Sequence, residues 1–251
     1  MANSHLTARC CRVGGRNCGA LVGYRAVISQ VLARAIFLAG VFCVSGAFMP
    51  DVASAQATAS VTAGSPTAMV KAVIDQATAV VRDTKTTPAA RDKKLREIAG
   101  ANFDFADMAR TTLGYHWRQL TPAQQAQFVP LFTSFMENVY LSKMRDYSVE
   151  KVRQNVNKSN VSFTGQQYNG ANYAEVHSAV TLQDHPEPIN VNYLVKRDGA
   201  DWKIYDLNID AISVMANYRN QFNRVLNNDG YPALVSMLQK KAQQLGSTLE
   251  Q

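Results

Sequence analysis

The spacing of apolar residues changes partway along this chain, and that change constrains the fold more than any other feature of the sequence. Before Val149 the apolar side chains recur every three or four residues, as they do on one face of an α-helix. From Val149 to about Ile209 they recur every second residue, as in strands that bury one face. After Ser213 the helical spacing returns. Helices, then a sheet, then helices predict an α+β domain with helices packed on one face of the sheet.

Capping residues set the expected helix boundaries. Ser65 and Thr121 each precede a proline, which favours the first turn of a helix. Thr121 and Gln124 also have the spacing of a capping box. Pro130 removes one backbone donor from the helix that contains it, and we expect a bend there. The predicted helices cover about 66–83, a segment from Pro88 through Ala99, 104–113, a segment from Pro122 through Tyr140, 213–226, and 232–245.

Turn residues divide the alternating segment into candidate strands. Asn169-Gly170 and Asp198-Gly199 are among the turn signals. The predicted strands cover 149–156, 160–168, 172–183, 188–197 and 202–209. Apolar residues fall on one face of the third and fourth of these strands: Ala174, Val176, Val180 and Leu182, then Ile189, Val191, Tyr193 and Val195. We therefore predict a twisted antiparallel sheet of four to five strands with one buried face.

The N-terminal segment has the three parts of a secretory signal peptide. Five arginines lie between Arg9 and Arg34, an uncharged stretch follows from Ala35 to Phe48, and a small-x-small site ends at Ala55. We expect cleavage after Ala55 and export to the periplasm. The apolar stretch is shorter than the roughly 20 residues of a membrane span, so an uncleaved anchor is the less favoured alternative. The predicted organisation is a signal peptide over 1–55, a flexible tether over 56–65, one domain over 66–246 and a disordered tail over 247–251.

Basic charge and cysteine are concentrated in the leader. The chain has a net charge of +7, but residues 1–55 contribute five basic side chains against one acidic side chain. The remaining 196 residues have 21 basic and 18 acidic side chains, a net charge of +3, which gives little support to nucleic-acid binding. All four cysteines, Cys10, Cys11, Cys18 and Cys43, lie in the leader. The exported part therefore has no disulfide scaffold, thiolate metal site or cysteine nucleophile.

Few polar residues are placed to carry out chemistry. No two of His116, His177 and His185 stand at metal-ligand spacing on one element, and we expect His177 on a polar strand face and His185 in a turn. Asp206 and Asp210 flank the end of the last predicted strand, where we favour a structural role in the strand-to-helix turn. We predict no enzyme activity, no cofactor and no metal. The alternative is a small cone-shaped isomerase or dehydratase acting on an apolar substrate, with one of Asp206, Asp210 and His177 as its base.

Several segments follow one another in a recognisable order and spacing: 112–118, 121–125, the helix ending at Tyr140, 202–206, and 212–219 continuing to Gly230. Together they resemble the MlaC family of periplasmic phospholipid-binding proteins, auxiliary components of an ABC transport system linked to toluene tolerance. The resemblance spans about residues 66–243, and the order and spacing of the segments carry it more than any single motif. Ala211 departs from the family pattern, which commonly has glycine at this position.

The resemblance implies a soluble periplasmic carrier that holds phospholipid acyl chains in an apolar pocket between sheet and helices. It also implies a monomer that shuttles lipid between two complexes and maintains the lipid asymmetry of the outer membrane. One complex is an inner-membrane assembly of an MCE protein, a permease and an ATPase, and the other is an outer-membrane lipoprotein complex. A paralogous branch is associated with hopanoids, which are the alternative ligand. A peptide-binding or scaffolding domain of the cell envelope is a third interpretation.

Candidate pocket residues come from two arguments. The family pattern places Ile212 and Val214, after the last predicted strand, at the pocket. Tyr218 joins them because it faces the sheet in the periodicity of its helix. Helical and strand periodicity alone adds Phe132, Phe135, Val176, Val180, Val191 and Tyr193. The resemblance implies no catalytic residue.

Overall fold

The structure is a computed structural model that describes residues 64–146, 159–182 and 185–247 of the 251-residue chain. Its helices are α1 (Pro66–Arg82), α2 (Pro88–Asn102), α3 (Phe105–Leu113), α4 (Pro122–Asp146) and α5 (Val214–Ser247), with a 3-10 segment at Gly114–Gln119. Its strands are β1 (Ser159–Tyr168), β2 (Tyr173–Leu182), β3 (His185–Asp198), β4 (Asp201–Ile209) and β5 (Ile212–Ser213). The predicted signal peptide (1–55), nearly all of the tether (56–65), the strand over 149–156 and most of the tail (247–251) lie outside the described residues.

The helices begin where the capping residues predict. Ser65 Oγ accepts a hydrogen bond from the Ala68 amide at the start of α1. Thr121 Oγ1 accepts one from the Gln124 amide, and Gln124 Oε1 accepts one from the Thr121 amide, which is a complete capping box. These side chains satisfy amides that have no partner inside the first turn of a helix.

Gly230 interrupts α5, as the turn signal between the last two predicted helices suggests. Its φ of 79° and ψ of 178° lie outside the helical region, in a conformation that is essentially confined to glycine. Pro232 follows in the first turn of the second helical part. The chain can therefore change direction here, within what is otherwise a 34-residue helical segment.

The strands form a single antiparallel sheet in the order β1-β2-β3-β4-β5, which confirms the predicted α+β class. His185 is a correction to the sequence prediction, because it lies in β3 opposite Leu182 and not in a turn. The prolines at 186 and 188 argued against a strand there. β4 pairs with β3 only from Val191 onward, so this first part of β3 lacks that neighbour and tolerates proline.

The helices cover one face of the sheet and enclose the core. The buried face of the sheet carries side chains that alternate with more exposed neighbours along β2 and β3 and belong to the core: Val176, Val180, Val191 and Val195. On the helical side of the core, four phenylalanines from α4 and α5 pack ring against ring: Phe128, Phe132, Phe135 and Phe222. In the described part of the chain, no helix is both long and apolar enough to cross a membrane.

Candidate functional site

Two apolar cavities of about 120 Å³ each lie within the helical side of the domain, and we call them cavity 1 and cavity 2. Cavity 1 is bounded by α2, α3, α4 and the start of α5, whereas cavity 2 is bounded by α1, α2 and the sheet. Leu95, Ala99, Phe103 and Leu207 line both, so the two cavities are adjacent. The remaining side chains around them are mostly aliphatic or aromatic. Such a lining suits hydrocarbon and gives water few partners.

Helix α2 forms the wall that the two cavities share. Thr87 caps the helix and Pro88 occupies its first turn. Leu95 and Ala99, four residues apart, lie on the same side of the helix, and both face the cavities. Arg91 and Asp92 are the buried residues of α2, so the helix places few apolar side chains in the closed core. The inner face of α2 therefore borders cavity 1 and cavity 2.

A charged pair joins α2 to α4 beside cavity 1. Arg96 Nη1 donates a hydrogen bond to Glu137 Oε2, and Arg96 Nη2 donates to Asn138 Oδ1 at 2.7 Å. Both Arg96 and Glu137 line the cavity, and their side chains keep 30% and 18% of their surface exposed. The pair therefore lies where the apolar space approaches solvent.

The tyrosines that line the cavities remain uncharged. Burial raises the pKa of Tyr193, beside cavity 2, to about 12. Burial also raises the pKa of Tyr140, beside cavity 1, well above its ordinary value, with the nearby Tyr218 and Asp206 charges acting in the same direction. Because Tyr140 is neutral, the charged side chains among the described lining residues of cavity 1 are those of Arg96 and Glu137.

The structure places the nine predicted pocket residues in several different surroundings. Val214 lines cavity 1 and Tyr193 lines cavity 2, whereas the other seven line neither cavity in the described part of the chain. Phe132, Val176, Val180 and Val191 are buried in the core, and Phe135 packs its ring edge to face with Tyr218 at 5.7 Å between centroids. Ile212 is 39% exposed in β5. A role in holding lipid stays a prediction for all nine residues.

The sequence interpretation missed most of the cavity lining. Leu95, Ala99 and Phe103 lie in or directly after α2, and Leu207 lies in β4. A signal was available, because Leu95 and Ala99 point inward from a helix with a charged outer side. Periodicity identifies the face that is buried, but it cannot show whether that face meets other side chains or open space.

Asp206 has a structural role, as predicted from its position. Its Oδ1 accepts hydrogen bonds from the Leu207 amide at 2.7 Å and the Met215 amide at 3.1 Å, and its Oδ2 accepts one from Ser213 Oγ at 2.6 Å. Asp210 Oδ1 accepts a hydrogen bond from the Asn190 amide at 3.0 Å. These contacts tie the end of β4 to the start of α5 and to β3.

The candidate bases of the enzyme alternative, Asp206, Asp210 and His177, are not among the lining residues of either cavity. Asp206 lies beside cavity 1, but its carboxylate is bonded to the Leu207 and Met215 amides and to Ser213. His177 Nδ1 lies 3.9 Å from Glu175 Oε1, on strand positions that alternate with the buried ones. Among the described residues, no group of three or more His, Cys, Asp or Glu side chains could hold a metal ion.

Comparison with known proteins identifies the fold and the family. A phospholipid-binding protein from Ralstonia solanacearum, solved in complex with a phospholipid, matches the structure with a TM-score of 0.57 and 24% sequence identity. The match covers 71% of this chain and 97% of that chain, and at this identity it establishes the fold. A search of curated proteins finds no match. The family model described as MlaC protein matches residues 71–240, well over half of the sequence, so the chain belongs to the MlaC family.

Proposed function

We propose that this protein is a phospholipid carrier that holds acyl chains between its helices and its sheet. The observation that carries the proposal is the pair of adjacent apolar cavities beneath α2 in a chain of the MlaC family. The phospholipid in the similar Ralstonia solanacearum structure supports the same ligand class. A hopanoid would require the same kind of apolar lining and is the alternative ligand.

The energetics of transfer explain why such a carrier would work with membrane complexes. Burying two acyl chains of about 16 carbons, at ~0.8 kcal/mol per methylene, contributes roughly 25 kcal/mol relative to water. A bilayer offers the chains a similar free energy, so transfer between membrane and carrier is close to balanced. Direction must then come from differential affinity at docking sites or from ATP hydrolysis by a partner.

These considerations extend the proposal to partners and compartment. We propose that the protein exchanges lipid with an inner-membrane complex of MCE protein, permease and ATPase, and with an outer-membrane lipoprotein complex. The basic and apolar leader ending at Ala55 supports a periplasmic location. A carrier needs no bond making or breaking, and we propose that the protein has no catalytic activity.

The small size of the cavities supports a movement of the helices when lipid binds. Pockets that enclose drug-sized ligands have volumes of about 300–1,000 Å³. Each cavity here has about 120 Å³, and only the side chains of α2 and its neighbours separate the two. Outward movement of α2 would join them, and we propose that the acyl chains enter the combined space.

Lipid uptake by variants of α2 tests the carrier proposal. Lipid would first be extracted from the purified exported protein and identified by mass spectrometry, and the delipidated protein would then be mixed with vesicles of labelled phosphatidylcholine. Ala99 lines both cavities, so Ala99→Trp places a large side chain against both, and we expect lipid uptake to be lost. Ala101→Trp makes the same change at an exposed position of the same helix, and this control should take up lipid like the native protein.

The outcomes separate the carrier from its alternatives. Native protein that contains no lipid and takes up none would rule out the carrier. Native-level uptake by folded Ala99→Trp protein would place the lipid elsewhere, and Ile212→Trp would then test the site predicted from the family pattern. Recovery of hopanoid, with no phospholipid bound, would change the ligand but keep the carrier.

A further inference from the structure

The charged pair at cavity 1 is unusual in its surroundings. The other lining side chains of the cavity are apolar, apart from the neutral phenol of Tyr140. Arg96 and Glu137 are partly exposed, so they mark the place where the apolar space opens toward solvent. A ligand with a hydrocarbon body inside cavity 1 would have its polar end close to these two residues.

The Arg96 guanidinium is held from two directions. Glu137 accepts from Nη1, and Asn138 accepts from Nη2 at 2.7 Å. Asn138 is itself buried, and its Nδ2 donates to the Ala242 carbonyl in α5 at 3.1 Å. Asn138 therefore fixes the guanidinium from the protein side. If Glu137 moved away, Arg96 would keep this contact and present its freed N–H groups to another anion.

We propose that Arg96 binds the phosphate of the lipid headgroup and that Glu137 takes the place of this phosphate when the cavity is empty. This inference rests on the proposed carrier function, and it assigns the residue that recognises the phosphate group of the lipid. Guanidinium pairs with phosphate through two parallel hydrogen bonds, as it does with carboxylate. Arg96 therefore determines specificity, whereas the apolar lining holds the chains.

The exchange of anions on Arg96 is close to balanced. A phosphodiester and the Glu137 carboxylate each bring one negative charge to the guanidinium, so Arg96 is paired with one negative charge both before and after the exchange. Partly exposed ion pairs contribute little net stability, because water solvates the separated groups well. Glu137 is therefore a weak competitor that a phosphate can displace, and its released carboxylate returns to solvent at the rim.

The proposed exchange predicts that substitutions of Arg96 and of Glu137 change phospholipid retention in opposite directions. Arg96→Gln removes the cation, so we expect phosphatidylcholine retention to fall about fivefold, while diacylglycerol with the same chains is retained as before. Glu137→Gln removes the competing anion, so we expect phosphatidylcholine retention to rise several-fold, again without a change for diacylglycerol. A role of the pair in simply holding α2 closed would instead give both variants the same direction of change with both lipids.

The experiment measures the equilibrium load of each labelled lipid on delipidated protein, with donor vesicles of zwitterionic phosphatidylcholine to avoid a charged surface. Lys71→Gln and Asp75→Asn are the charge-matched controls, because they alter an exposed ion pair on α1 and should not change either load. Circular dichroism confirms that each variant is folded. A parallel calorimetric titration adds inorganic phosphate alone, and we expect no binding that depends on Arg96.

Each outcome supports or overturns the inference. Opposite effects of Arg96→Gln and Glu137→Gln, confined to the phosphate-containing lipid, support it. Effects of the same sign, equal effects on diacylglycerol, or native loads in both variants overturn it and leave the carrier proposal intact. Binding of inorganic phosphate alone through Arg96 would indicate a site for free anions and overturn the inference. Native protein that takes up neither lipid would overturn both the inference and the carrier function.

Discussion

At the scale of single residues, the turn between β4 and β5 has an unusual backbone. Asp210 and Ala211 both have positive φ, 47° and 65°. Ile209 pairs with Ile212, so these two residues form a two-residue hairpin loop, in which positive φ at both positions is typical of a type I′ turn. Asp is well suited to the first position, but the second favours glycine. The Cβ of Ala211 therefore adds strain at the position where the family pattern commonly has glycine.

We predict that Ala211→Gly stabilises the protein. A residue with a Cβ in the left-handed region costs roughly 1 kcal/mol or more, and glycine removes that cost. Glycine also gives the unfolded chain more freedom, which offsets part of the gain. We therefore expect the free energy of unfolding to rise by about 0.5–1 kcal/mol, measured by urea denaturation.

Ala200→Gly is the matched control for this prediction. Ala200 lies in the β3–β4 turn beside Gly199, and of these two residues Gly199 carries the positive φ. The change at position 200 relieves no strain, so we expect a loss of a few tenths of a kcal/mol from the freer unfolded chain. A drop in stability for Ala211→Gly equal to that of the control would show that Ala211 is not strained.

At the scale of elements, Lys196 links β3 to the start of α3. Its Nζ lies 2.8 Å from Asp104 Oδ2 and 2.9 Å from Asp107 Oδ2. Asp104 also caps α3 through the Asp107 amide, and its own amide donates to the Ile204 carbonyl in β4. Burial opposes the charge of Asp104, but the hydrogen bonds from Lys196 and from the Asp107 amide, with the Lys196 charge, hold its pKa below the ordinary value.

We predict that Lys196→Gln lowers the free energy of unfolding, and that it does so more at neutral pH than at acidic pH. A depressed pKa of Asp104 stabilises the fold above its unfolded pKa of about 3.9, and this stability is lost as pH falls through the lower folded value. Without Lys196 this contribution shrinks, so we expect a loss of about 1 kcal/mol near pH 7 and a smaller difference from native protein near pH 3. Urea denaturation at both pH values measures it.

Lys71→Gln provides the comparison, because Lys71 belongs to an exposed ion pair within α1. We expect it to alter stability by a few tenths of a kcal/mol at either pH. Equal losses for Lys196→Gln at both pH values would contradict a charge-based link and indicate lost packing of the lysine stem.

The elements also show how far sequence reasoning extends. The sequence predicts the helix starts at Ser65 and Thr121 because capping depends on side chains a few residues apart. The sequence did not predict that β3 begins at His185. Proline is tolerated in the first part of β3 because β4 pairs with β3 only from Val191 onward, and this pairing depends on residues far apart in the sequence. Most of the lining of the two cavities was not predicted for the same reason, because long-range packing decides whether a buried face meets side chains or open space. Aromatic periodicity in α4 shows that Phe132 faces inward, but it cannot show that Phe132 packs against Phe222 on α5. The role of Phe132 at the pocket stays a prediction.

At the scale of the whole molecule, packing is uneven across the domain. The phenylalanines of α4 and α5 fill one side of the core, whereas α2 covers open space. The apolar walls of both cavities lack the packing partners that a filled core supplies. A bound acyl chain would supply such partners, and lipid binding is therefore coupled to the stability of the fold.

This coupling predicts that phospholipid raises the melting temperature of delipidated protein. A ligand that binds only the folded state at 100 times its Kd stabilises that state by about 2.7 kcal/mol. For a domain of this size each kcal/mol raises Tm by roughly 2–4 °C, so we expect an increase of about 5–10 °C in scanning calorimetry with added phosphatidylcholine vesicles. Ala101→Trp should respond like native protein. Ala99→Trp, whose indole takes up cavity volume itself, should keep the same Tm with and without lipid. A lipid-dependent rise in the Ala99→Trp variant as large as in native protein would mean that the lipid stabilises the domain from a site outside the two cavities.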